Sequence, residues 1–359
     1  MDVGLTSEQL SLRDTVRDIL RTECPPEAAR QSITDPERWR TLWKTVVDLG
    51  WTELAAPDAG GDFGPVELTL VLEECGAAIA PIPLLSSIGL AAGVLRAAGP
   101  SAEPVLAEIA GGVVATLAAH PPWHRLPGVT MTLHQGRLRG RAVAVPNLTR
   151  AELIVALATT GDGVVAAVAR SGDGVRIVAG ESTDPAQPVA DVEIDAEPVV
   201  VAPVDVESAL AAPLVAAAAD LVGVASAALH RSVEHAKARR QFGAPIGAFQ
   251  GIKHALADNY VSVERARSLT YAAAARLGDA DTHADKGAAW TAAALAKAAA
   301  GDAASHCART AVQVHGALAQ TWEHDMHLYV RRAWQGAALL GDSRALYREI
   351  GRRFAGGAA

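Results

Sequence analysis

Arg239-Arg240-Gln241-Phe242-Gly243-Ala244-Pro245-Ile246-Gly247-Ala248-Phe249-Gln250 lies between two long Ala- and Leu-rich segments of helical pattern. Glycine and proline at this density end one helix and begin another. That accounts for Gly243, Pro245 and Gly247. It does not account for an arginine followed at fixed distances by Phe242 and Gln250. Read alone, Arg239 is a solvated cation favoured by the helix dipole at a helix C-terminus.

On either side of this loop the pattern is helical, at about 206–239, 247–277, 285–315 and 325–354. Four consecutive helices with short connections predict an antiparallel four-helix bundle over 206–359. Upstream, composition changes. Val113 to Ala118, Val129 to Leu133, Ile154 to Ala158, Val164 to Val168 and Val175 to Val178 are short Val-rich runs. Gly161-Asp162-Gly163 and Gly172-Asp173-Gly174 are hairpin-type turn signals between such runs. A small antiparallel β domain over 111–205 is expected. Residues 1–110 read as helical. Thr6 to Gln9 forms a capping box, T-x-x-Q, and Leu12, Val16, Ile19 and Leu20 share one face. Helices are also expected at Trp39 to Val47, Val66 to Ile79 and Leu84 to Ala98, with a loop at Pro57 to Gly61. Glu73 and Glu74 read as a solvated helix edge. The fold class is therefore α+β, mostly α, in three successive units.

Composition narrows the partners. The chain has 359 residues, a net charge of −8 and no long basic tract, which argues against nucleic acid and against a polybasic membrane anchor. Aromatics are only 4%, so the core rests on Ala, Leu and Val. Ala209 to Leu229 is the one membrane candidate, but it holds Pro213 and Asp220 and reads as a buried bundle helix. Met1 to Leu20 has no signal-peptide apolar run. Cys24, Cys75 and Cys307 are far apart, which predicts reduced thiols and a cytoplasmic protein. His324 and His327 stand at i, i+3 beside Glu323 and Asp325, but a third convergent ligand is missing, so no metal is expected. His254 and His315 read as buried, hydrogen-bonded histidines, and Arg331 and Arg332 as structural ion-pair residues.

A second string extends the first. Gln313-Val314-His315-Gly316-Ala317 is followed by Thr321-Trp322-Glu323-His324-Asp325 and Leu328-Tyr329-Val330-Arg331-Arg332. The two strings, in this order and spacing, resemble the acyl-CoA dehydrogenase family. The first resembles the loop by which one subunit reaches across an interface to FAD, the second the family's Q-x-x-G-G turn. The resemblance implies a cofactor-binding set of Arg239, Gln241, Phe242, Gln250, Gln313, Gly316 and Ala317. In it Arg239 would meet the pyrophosphate, Phe242 the adenosine half, and Gln250 would hydrogen-bond the cofactor. The implied reaction is α,β-dehydrogenation of an acyl-CoA thioester, with electrons passed to an electron-transfer flavoprotein.

The family's base is missing. The position of its Glu, in an E-G-T turn, falls on Leu340, with Gly341 after it. Asp342 and Arg344 replace the flavin-contacting Thr and Gln. The family's alternative base position, on the helix before the loop, falls near Pro213, among Ala211, Ala212 and Leu214. Glu207 and Asp220 are each about two turns away. In the β unit, Thr116 to Trp123 has no Gly-Ser, and Gly140 to Pro146 has small residues and a proline where ring contacts are usual. No catalytic residue is assigned to this chain. It resembles the shorter, base-lacking subunit of heteromeric actinobacterial dehydrogenases of the steroid-degrading type, whose partner is a catalytic homologue. The alternatives are a flavin-free structural subunit and a flavin monooxygenase on the same fold.

Overall fold

The computed structural model describes residues 4–55, 63–278 and 286–356. The loop expected at Pro57 to Gly61 lies outside the described residues. Helix α1 (Ser7–Glu23) opens on Thr6, whose hydroxyl accepts from the Gln9 amide while the Gln9 side chain accepts from the Thr6 amide. This reciprocal cap satisfies two otherwise orphaned donors. Helices α2 (Pro26–Thr34), α3 (Trp39–Asp48), α4 (Pro65–Ala77), α5 (Ala92–Ala97) and α6 (Glu103–Ala110) complete the N-terminal unit. The helix expected from Leu84 to Ala98 is present, but its first part, Leu85–Ala91, is a wide π-type turn.

A sheet follows, formed by β1 (Ala115–Ala118), β2 (Met131–His134), β3 (Arg137–Pro146), β4 (Leu153–Thr159), β5 (Val164–Arg170), β6 (Val175–Ala179), β7 (Val189–Ala196) and β8 (Val200–Pro203). The order is β6-β7-β3-β2-β4-β5-β8, with β1 also beside β4. Most pairs are antiparallel, as expected, but β1 and β2 both run parallel to β4. β1 and β4 are buried at nearly every position, so neither shows the alternation of a one-sided strand.

Helices α7 (Val206–Ala238), α8 (Gln250–Gly278) and α9 (Lys286–His315) form the C-terminal bundle with α10 (Met326–Ala338) and α11 (Ser343–Gly356). α7 is long and apolar enough to cross a membrane, yet it is buried within the protein. The helix expected from 325 to 354 is in fact two. It breaks at Leu340 and Gly341, both with left-handed backbone (φ 54° and 100°). Leucine gives no warning of such a conformation.

The N-terminal unit is welded to the bundle where α4 crosses α7. A Cβ on Gly223 would stand 1.9 Å from the Glu73 carbonyl oxygen, and one on Gly76 would stand 2.1 Å from that of Asp220. Backbone therefore rests on backbone there. Glu73 and Glu74 lie at this crossing and are buried, against the reading of them as a solvated edge. Glu74 takes a bidentate grip from Arg17 (2.7 and 3.1 Å), and Glu73 accepts from Arg267 (2.9 Å) and the Tyr271 hydroxyl (2.8 Å).

Candidate functional site

Arg239 is the C-cap of α7, with its backbone N–H on the His235 carbonyl. After it, Arg240–Gln241 and Ala244–Pro245 pair as a minimal hairpin. Its two central residues, Phe242 (φ 52°) and Gly243 (φ 80°), both have positive φ, the geometry of a tight primed turn. Arg240 donates to the Gly243 carbonyl and fastens the turn (3.1 Å). The result is a stiff projection. Phe242 is 93% exposed, and among the described residues its ring pairs edge to face with that of Phe249, centroids 6.1 Å apart. Arg239, Gln241 and Gln250 are exposed, and among the described residues Arg239 enters no ion pair.

The second string is at the same end of the bundle. Gln313 is exposed near the end of α9, and Gly316 (φ 63°) and Ala317 begin the exposed turn after it. The His235 ring stacks on His315 at 4.2 Å, and His315 packs on His324 at 5.0 Å. The stack joins the two strings through their neighbours. His315 is buried and hydrogen-bonded, as expected, whereas His254 is exposed. Among the described residues no group of His, Cys, Asp and Glu forms a metal site.

The other features are elsewhere. A cleft of about 890 Å³ opens between α4, α5, the start of α7 and the sheet, lined by Leu68, Arg96, Ala211, Ala212, Val215 and Leu277 among others. Residue 212 and Arg239 are at opposite ends of α7, about 40 Å apart at 1.5 Å per residue. The loop and this chain's own cleft therefore cannot serve one ligand. Near the cleft, Pro213 packs against Gly93. Glu207 pairs with Arg353 (2.9 Å). Asp220 is buried opposite Arg332 (3.8 Å), which also grips Asp184. Arg332 is thus structural, as its motif position suggested.

Leu340 is buried, 1% exposed, and its surroundings are occupied. Its N–H donates to His120 Nε2 (2.8 Å). The Lys297 ammonium, fully buried, donates to the carbonyls of Ala337 (3.2 Å) and Gly341 (3.4 Å). Burial pushes His120 down to about 4, helped by the charge of Lys297. The backbone of the sheet edge is also used. Val143 N–H donates to the His120 carbonyl, and Ala144, at φ 51° in a bulge, donates to Asp191. These residues leave few donors for a flavin ring, so this half of the chain does not fit one. The projecting end does fit a diphosphate: an exposed guanidinium, exposed amides, and open space at Gly316 where a Cβ would meet nothing.

Neither Lys297, His120 nor His235 stood out in the sequence. Lys297 had a signal, a lone cation in an Ala-rich helical run. Burial lowers it to about 7, against the opposing pull of Asp342 and Asp302. The unfolded chain holds this proton to its ordinary value, so folding releases it between about pH 7 and 10.5. Stability then rises with pH across that window. The thermal midpoint is expected to rise from pH 7 to 9 in the wild type and to rise less in Lys297→Met. Equal slopes in the two proteins would show that Lys297 keeps its proton on folding, so that burial does not lower it.

Comparison with known proteins agrees with this architecture. The model for the acyl-CoA dehydrogenase N-terminal domain matches residues 6–103, and that for the C-terminal domain matches residues 206–355. The acyl-CoA dehydrogenase IpdE2 of Mycobacterium tuberculosis is 31% identical, with 96% of each chain covered. The acyl-CoA dehydrogenase FadE27 of the same organism is 30% identical, with 99% of each covered. Among solved structures, the ChsE4-ChsE5 complex of M. tuberculosis superposes with a TM-score of 0.86 at 28% identity, over 99% of each chain. A Tcur3481-Tcur3483 steroid ACAD gives 0.87 at 27%, again over 99% of each. Matching models at both ends and full-length relatives lead to one conclusion: the chain belongs to the acyl-CoA dehydrogenase family.

Proposed function

We propose that this chain is the non-catalytic subunit of a heteromeric acyl-CoA dehydrogenase and that it completes an FAD site held mainly by a catalytic homologue. The separation of about 40 Å between the Arg239 loop and the chain's own cleft carries this reading. A loop that far from its own cleft, stiff and exposed, is shaped for a neighbour. The filled surroundings of Leu340 support the other half of the proposal. A leucine cannot accept the α-proton, and both nearby carboxylates, Glu207 and Asp220, face arginines. The base would come from the partner.

FAD, when bound, supplies the acceptor for the hydride that leaves the β-carbon. This chain's part is to hold the cofactor's far end. Arg239 would neutralise the pyrophosphate, Phe242 would cover the adenosine half, and Gln241, Gln250, Gln313 and the turn at Gly316 and Ala317 would supply the remaining polar contacts. Two relatives support heteromeric assembly and a steroid-derived acyl-CoA: ChsE4-ChsE5 is a complex, and the Tcur3481-Tcur3483 protein is a steroid ACAD. An electron-transfer flavoprotein would take the electrons. The buried free thiols of Cys24, Cys75 and Cys307 suit a cytoplasmic setting.

The test uses the complex co-purified with the product of a neighbouring homologous gene. A charge-assisted contact to a pyrophosphate contributes on the order of 1.5–3 kcal/mol, so Arg239→Ala is expected to weaken FAD retention about tenfold or more. Helical circular dichroism should stay unchanged. Unchanged retention would reduce Arg239 to a helix-end charge. A colourless complex would instead favour a flavin-free structural subunit, and NADH-driven oxygen consumption a monooxygenase.

A further inference from the structure

The three stacked imidazoles beside the loop have a charge problem. His235 is on α7, His315 at the end of α9, and His324 in the turn before α10, so three separate elements bring them together. The cations around them are Arg239, which faces His235, and Arg231, which faces His315 and His324. His327 stands behind His324. The anion that the stack faces is Asp325, and it is already engaged, by Arg30 from α2 and by Arg231 (3.5 Å). Among the described residues, a proton added here meets these cations, and the one carboxylate it faces, Asp325, is already paired. Burial lowers all three histidines; repulsion from His315 adds to it at His235 and His324, and repulsion from Arg231 adds to it at His315 and His324.

Hydrogen bonds fix what each ring can do. The Met326 N–H donates to His324 Nδ1 (3.2 Å), so that nitrogen must accept and His324 is held neutral. His315 Nδ1 must donate, because its partner is the Ala311 carbonyl (2.8 Å), which leaves Nε2 open to a proton. His235 makes no side-chain hydrogen bond among the described residues and is half-buried. It lies one turn before Arg239 on the same helix face. His315 directly precedes Gly316. The two rings therefore form a floor between the two halves of the proposed diphosphate site.

We propose that the His235–His315 pair is the proton-accepting floor of this site, and that it takes up a proton from solvent when a diphosphate diester binds at Arg239. This rests on the reading of the Arg239 end as an FAD-pyrophosphate site. The diester brings two negative charges. One is met by Arg239. The other supplies the counterion that the stack lacks, so an imidazolium shared by the two rings becomes favourable. Binding that takes up a proton weakens as pH rises. The pair acts by positioning and neutralising charge and touches no reacting atom.

The test is calorimetric titration of FAD into the deflavinated complex, in buffers of different ionisation enthalpy. The wild type is expected to take up about 0.5–1 proton per FAD near pH 7 and to bind about fivefold more weakly at pH 8 than at pH 6.5. His235→Gln with His315→Gln should abolish uptake and flatten the pH profile. If that double variant fails to fold, His235→Gln alone, at the half-buried and unbonded ring, is expected to lose most of the uptake. Three results would overturn the proposal: no uptake in the wild type, uptake that persists in the variants, or a flat wild-type pH profile. If Arg239→Ala still weakens FAD in those cases, only the floor is refuted and the cofactor site stands. If Arg239→Ala also has no effect, both fall.

Discussion

Arg332→Ala is expected to destabilise the protein by about 3–5 kcal/mol, which for a chain of this length lowers the thermal midpoint by roughly 5 °C. Arg332 is among the largest fully buried side chains. Its Nε grips Asp184, its Nη1 faces Asp220 at 3.8 Å, and its Nη2 donates to the carbonyls of Ile79 and Ala80 (both 3.3 Å). One guanidinium thus joins α10, the loop at 184, the end of α4 and the middle of α7. Removing it leaves two buried carboxylates and two carbonyls without their donor. That desolvation, more than the lost attraction, sets the cost. Burial already pushes Asp220 up to about 6, with Arg332 holding it down and Asp184 pushing it further up. Without Arg332 it must rise again. An acid raised in the folded state penalises folding above that value, and the penalty fades as pH falls through it. The deficit of Arg332→Ala should therefore be larger at pH 7.5 than at pH 5. A deficit that does not depend on pH would mean that the carboxylates find another cation.

Gly223→Ala is expected to cost about 3 kcal/mol or more, against the gain of up to about 1 kcal/mol that alanine brings to an unobstructed helix. The new methyl would lie 1.9 Å from the Glu73 carbonyl oxygen and 2.7 Å from the Ala77 nitrogen, both backbone atoms that cannot swing aside. α4 and α7 would have to separate, and Glu73 would loosen from Arg267 and Tyr271. Gly351→Ala is the control, because a Cβ there meets nothing within 4 Å on an exposed face of α11. Urea midpoints should move in opposite directions for the two variants. A stable Gly223→Ala would show that the α4–α7 crossing has slack.

The legible parts of the molecule were those with local causes. The cap at Thr6 and Gln9, the turn signals of the sheet and the loop after Arg239 are all specified within about a dozen residues. The parts that misled depend on distant partners. Glu73 and Glu74 have the spacing of a polar edge, but the α4–α7 crossing buries them, and partners far away in sequence, Arg17, Arg267 and Tyr271, compensate their charge. The break at Leu340 is imposed by its setting, with His120 taking its N–H and Lys297 holding the carbonyls on either side. The histidine stack had no linear signature because its rings come from three elements. The proposed cofactor-binding set came from a pair of strings, but only the fold puts both strings at one end of the bundle and the cleft at the other.

The hairpin at Phe242 and Gly243 has a consequence for supply. Its turn is preformed, so docking costs little conformational entropy, but for the same reason Phe242 cannot fold away while it waits. A copy made ahead of whatever covers it keeps an aromatic ring in water. In the proposed heteromer the partner would cover that ring, and matched production of the two chains would shorten the time it spends exposed.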